Sequence, residues 1–106
     1  MLPNTAVAYD VSMRTSIGIS IGRITVIQNR GAITGFFDIL NHHEPFTGTI
    51  DENNNCYFTG KIIMLMRTVH YHAVGKILPG ELTLSIQDGH HTLEITGKPV
   101  GCTKES

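Results

Sequence analysis

The 106 residues predict an all-β protein: one small antiparallel up-and-down barrel of about eight strands, with a two-sheet β-sandwich as the alternative. Three observations carry this. A five-residue unit centred on glycine occurs six times, at Ser20–Ile24, Ile33–Phe37, Phe46–Ile50, Phe58–Ile62, Ala73–Ile77 and Ile95–Pro99. From Gly22 through Gly35, Gly48, Gly60 and Gly75 to Gly97 the steps are 13, 13, 12, 15 and 22 residues, room for a strand and a turn but not for a βαβ crossover. No long stretch has the period of an amphipathic helix, whereas turn signals recur between alternating apolar and polar residues. The chain reads as a single domain, residues 1–106.

Each strand follows from its own pattern. The first is expected near Thr5–Met13, with Val7, Tyr9, Val11 and Met13 on one face, before a looser Thr15-Ser16-Ile17-Gly18. The second, Ser20–Gln28, ends at Asn29-Arg30-Gly31. The third, Ala32–Leu40, runs into a connection expected over Asn41-His42-His43-Glu44-Pro45. Strands four and five form a hairpin, Phe46–Ile50 and Phe58 to about Leu65, around the polar Asp51-Glu52-Asn53-Asn54-Asn55. The run from Ile62 to Ile77 is too long for one ordinary strand, so a turn is expected at Met66-Arg67-Thr68. Strand six is then Val69–Leu78. Pro79-Gly80 and Asp88-Gly89 bracket strand seven, Glu81–Gln87, and strand eight is His91–Thr96. A frayed tail is expected over Gly101–Ser106.

In most copies of the unit the glycine shares its face with the apolar residues two places before and after. Glycine on a core face removes packing and costs stability. Repetition therefore calls for a geometric cause, and tight coiling of a small closed barrel supplies one. The likeness to lipocalin-type barrels is one of architecture, and it carries no motif and so no function.

Composition narrows the function classes. Net charge is −1 and charged residues are 16%, so no global basic field points to nucleic acid or an anionic membrane, and a sparsely charged surface favours self-association. No apolar run reaches the length of a transmembrane helix, and Met1-Leu2-Pro3-Asn4 lacks the basic start of a signal peptide. Cys56 and Cys102 form no paired motif and are expected as free thiols in a reducing cytoplasm, with a disulfide between them as the alternative.

Four constellations are candidates for chemistry. His70-Tyr71-His72 puts two imidazoles on one face, a spacing that can ligate metal on a β-barrel. A cupin would need a carboxylate soon after, yet none follows before Glu81, and alternation places both histidines outward with Lys76. His42-His43 and His90-His91 are expected in solvated turns. The carboxylates Asp10, Asp38, Glu44, Asp51, Glu52, Glu81, Asp88, Glu94 and Glu105 are expected mainly on turns or outward faces, and no nucleophile elbow or P-loop is present. The barrel interior is the third candidate. Tyr9, Phe37, Phe46, Phe58 and Tyr71 are expected inward, with Met13 and Met64, and would line a pocket for a small hydrophobic ligand, the tyrosine hydroxyls acting as polar handles. The outer wall is the fourth. Ile19, Ile21, Ile27, Phe36, Ile63 and Leu65 are expected outward and would serve a homodimer. Tyr57, Lys61, Arg67, Tyr71 and Lys76 make only a loose aromatic-basic pattern, with Tyr71 facing away from Lys76, so nucleic acid is not an expected partner. The residues thus favour a non-enzymatic module without a cofactor, binding a small hydrophobic ligand or acting through self-association or a protein partner. A metal-dependent enzyme built on His70 and His72 is the alternative.

Overall fold

A computed structural model of the chain describes residues 5–15, 18–39, 42–64, 67–88 and 91–100. Eight antiparallel strands follow in chain order: β1 (Thr5–Thr15), β2 (Gly18–Asn29), β3 (Ala32–Ile39), β4 (His42–Ile50), β5 (Asn55–Met64), β6 (Arg67–Leu78), β7 (Glu81–Asp88) and β8 (His91–Pro99). Each pairs with the next, and β1 pairs with β8 from Tyr9↔Pro99 to Arg14↔Glu94, which closes the barrel. Closure leaves no sheet edge running the length of the molecule and excludes the open sandwich.

Alternation sets the inside apart from the outside. Val11, Met13, Ile24, Val26, Ile33, Phe37, Ile62, Ala73, Ile77, Leu82, Leu84, Ile86 and Ile95 are buried in one apolar cluster together with Tyr9, Phe46, Phe58 and Tyr71, and no charged side chain among the described residues is buried. The unit glycines stand on this inner face because the neighbouring strand lies where a Cβ would be. At Gly35 that space is taken by the Thr25 carbonyl oxygen, at Gly48 by that of Tyr57, and at Gly75 by that of Thr83. Register adds a second reason. Gly35 lies opposite Phe46, Gly48 opposite Phe58 and Gly60 opposite Tyr71, so the glycine of one strand leaves room for the ring on the next.

The turns between β2 and β3 and between β4 and β5 are closed by residues in the left-handed region, Arg30 (φ 55°) with Gly31 (φ 85°), and Asn54 (φ 68°). The Asp51 carboxylate accepts hydrogen bonds from the backbone N–H groups of Asn53 (2.8 Å) and Asn55 (3.0 Å).

Strand ends differ from the sequence reading, mostly by extension. The chief correction concerns Asn41–Pro45, expected as a connection. His42, His43, Glu44 and Pro45 belong to β4 and pair with β3, from Ile39↔His42 to Phe36↔Pro45. Proline is tolerated there because β4 leaves its other neighbour at that point, as described below. Arg67 and Thr68, expected in a turn, open β6, and Asp88 closes β7. The expected features at residues 1–4, 16–17, 40–41, 65–66, 89–90 and 101–106, which include Leu65, His90 and Cys102, lie outside the described residues.

Candidate functional site

The wall of the barrel is uneven between β4 and β5. Their ladder holds five residue pairs, from Phe46↔Gly60 to Ile50↔Cys56, whereas β5 and β6 pair ten times, from Asn55↔Lys76 to Met64↔Arg67. His42–Pro45 therefore pair only with β3, and Lys61–Met64 only with β6. The split starts at Pro45. Its carbonyl oxygen lies 3.2 Å from the position of a Cβ built on Gly60, so that edge of Pro45 faces β5. In an extended residue the nitrogen points the same way, and proline has no N–H to offer there.

A shallow groove of about 500 Å³ lies over the split, lined by Pro45, Thr59, Gly60, Lys61, His70, Tyr71 and His72. Its rim is basic, with Lys61, His70 and His72 all exposed on the outer wall. The Tyr57 hydroxyl and His72 Nδ1 are 2.9 Å apart, which fixes one side of that ring. Glu44 has the parity of Phe46 and a side chain only 14% exposed, yet its Oε1 comes within 4.0 Å of the Lys61 ammonium. An inward-facing carboxylate meets an outward-facing lysine here because the two strands have parted. The expectation of Glu44 in an exposed connection is corrected accordingly.

Beneath the groove lies an aromatic cluster. Phe46 and Phe58 stack with centroids 4.2 Å apart, and Tyr71 meets Phe58 (6.1 Å) and Phe37 (6.3 Å) edge to face. Four of the five residues expected to line the interior are thus brought together, each of them buried. The fifth, Tyr9, is buried apart from these ring contacts, and its hydroxyl donates to the Leu78 carbonyl oxygen at 3.0 Å. The rings pack against one another in this state.

Tyr71 is the unusual member. It is 2% exposed, and its hydroxyl has no hydrogen-bond partner among the described residues. The oxygen lies 2.7 Å from where a Gly60 Cβ would be, so it occupies the space that this glycine leaves at the groove floor. An unpaired buried hydroxyl costs about 1–3 kcal/mol. Burial also pushes the phenol well above its ordinary pKa, so the hydroxyl keeps its proton into alkaline solution.

The other candidates are placed as follows. His70 and His72 point outward with Lys76, as alternation expects, and among the described residues no group of three or more His, Cys, Asp or Glu is arranged to hold a metal ion. Of the residues considered for nucleic acid, Tyr57, Lys61 and Lys76 are exposed on the outer wall and Tyr71 is buried. Among the outward apolar residues, Ile19 and Ile21 are 64% and 77% exposed, whereas Ile27 and Ile63 are half-buried. Phe36 stacks on His43 at 4.3 Å, and the row of Arg23 and Asp38 separates it from Ile21. Cys56 is a buried thiol. No helix among the described residues is long and apolar enough to cross a membrane. Sequence reasoning missed Pro45, Thr59 and Lys61 as groove neighbours of Tyr71, and Glu44 as the partner of Lys61, and Pro45 was the one available signal.

No family model, no curated protein and no solved structure matches this chain.

Proposed function

We propose that this protein is a non-enzymatic binding barrel that takes a small, largely apolar molecule at the split between β4 and β5. The observation that carries this reading is the parting of β4 from β5 beside Tyr71, the member of the Phe37, Phe46, Phe58 and Tyr71 cluster that lines the groove. Elsewhere a ligand meets an outer wall of polar residues and exposed apolar side chains such as Ile21 and Val74. At the split it meets a groove whose floor is Gly60 and an aromatic ring, with Thr59 and Pro45 at its sides. Aromatic faces reached through a recess suit a small apolar body. Tyr9, at the other side of the core, supports the barrel rather than the ligand, since Leu78 already takes its hydroxyl. The pattern of apolar interior and polar exterior is the reverse of a transmembrane barrel, which supports a protein working in water.

The test uses N-phenylnaphthylamine, a neutral apolar dye that brightens when it leaves water. Saturable one-to-one binding is expected for the wild type, and its loss in Thr59→Trp, which fills the groove from a surface position while circular dichroism stays unchanged. Dye binding untouched by Thr59→Trp, or no saturable binding at all, overturns the reading.

A further inference from the structure

We infer that the ligand of the β4–β5 split carries an oxyanion, such as a carboxylate or sulfonate, on its apolar body, and that the Tyr71 hydroxyl and the Lys61 ammonium receive it. This deepens the binding reading above and rests on it. The first observation is Tyr71. A polar side chain that is 2% exposed, with no partner for its hydroxyl among the described residues, lines a surface groove. Buried hydroxyls are normally satisfied, so an orphan at the floor of a recess marks the place of a ligand acceptor. The second, independent observation is charge. Lys61, His70 and His72 stand around the same groove, and among the described residues Glu44 is the one carboxylate whose oxygen is within salt-bridge reach of Lys61. That contact is 4.0 Å long, the outer limit of an ion pair, so the ammonium has donors to spare for an incoming anion.

The roles are distinct. Tyr71 donates from below, out of a dry environment where a hydrogen bond to a charged acceptor is strong. Lys61 supplies the charge from the rim. His72 has one ring nitrogen committed to Tyr57 and offers its other edge, and His70, opposite Lys61 in the ladder, extends the basic rim. A neutral apolar molecule would use the recess and leave the hydroxyl unpaired.

Two dyes with the same rings separate these cases. Anilinonaphthalene sulfonate differs from N-phenylnaphthylamine by one sulfonate. The wild type is expected to bind the sulfonate about tenfold more tightly, the scale of one charge-assisted hydrogen bond. Tyr71→Phe and Lys61→Met are each expected to remove most of that preference while leaving the neutral dye bound. Tyr71→Phe is also expected to raise the thermal midpoint of the ligand-free protein, because it deletes an unpaired hydroxyl and nothing else. Equal affinity for the two dyes, or a fall in stability on Tyr71→Phe, overturns the oxyanion inference and leaves the binding reading standing. If neither dye binds, the binding reading fails and the inference falls with it.

Discussion

At the scale of single residues, the unit glycines are not equivalent, and the difference lies in what would meet an added methyl group. A Cβ on Gly48 would stand 2.5 Å from the Phe58 Cα and closer still to the Tyr57 carbonyl oxygen. Both are backbone atoms of the paired strand and neither can turn aside. At Gly60 the nearest atom is the Tyr71 hydroxyl oxygen at 2.7 Å, the far end of a side chain, and the nearest backbone atom is the Pro45 carbonyl oxygen at 3.2 Å. Gly48→Ala is therefore expected to destabilise by about 3 kcal/mol, since the strands must separate. Gly60→Ala is expected to cost about 1 kcal/mol, because the phenol can shift. Urea unfolding of the two variants checks this. Equal losses would mean that Tyr71 is held as rigidly as backbone.

At the scale of strands, Pro45 decides the shape of the wall. Every other neighbouring pair of strands is joined by at least six residue pairs, whereas β4 and β5 share five and part at the proline. Pro45→Val returns an N–H to the edge that faces β5, so the ladder is expected to grow toward His43 and Ile63. Amide hydrogen exchange at Lys61 and Ile63, whose N–H groups face β4, should then slow, and dye binding in the groove should weaken. Unchanged exchange would show that something other than the missing donor keeps the strands apart. The same proline explains what sequence could and could not reveal. Strands with a clean period of two, such as Glu81–Gln87, were legible because alternation alone defines them. The inward set of Phe37, Phe46, Phe58 and Tyr71 followed from the same rule. His42–Pro45 were misread because histidine, glutamate and proline together resemble a connection, and local composition does not reveal that β3 continues to pair there. The groove was hidden for a related reason. Its members come from three strands, and only the register across β4, β5 and β6 puts Lys61 and His70 over Tyr71.

At the scale of the whole molecule, closing the barrel buries neutral groups and leaves charges outside, which makes its response to pH one-sided. On the acid side, the Asp51 carboxyl lies below its ordinary pKa, chiefly through the hydrogen bond from the Asn55 N–H, but it sits at an exposed turn. Its contribution is present above the ordinary carboxylate range and is lost as pH falls through the lowered value. The alkaline side involves the core. Burial pushes the Cys56 thiol from an ordinary value of about 9 up to about 11, and it raises Tyr9 and Tyr71 as well. The folded state therefore holds the Cys56 proton over a range where the unfolded chain has released it. Linkage then gives a stability that is full below about pH 9 and declines as pH rises to about 11. Tyr9 and Tyr71 act in the same sense at higher pH. Urea midpoints of the wild type are expected to fall steadily across this window. Cys56→Ala is expected to be less stable at neutral pH, because it opens a small cavity, and to have a shallower decline. Parallel declines in the two proteins would mean that the thiol titrates alike in the folded and unfolded chain, so the wall at the β5–β6 junction would have to admit water to Cys56. That result would place a second opening in the barrel, far along β5 from the split at Pro45.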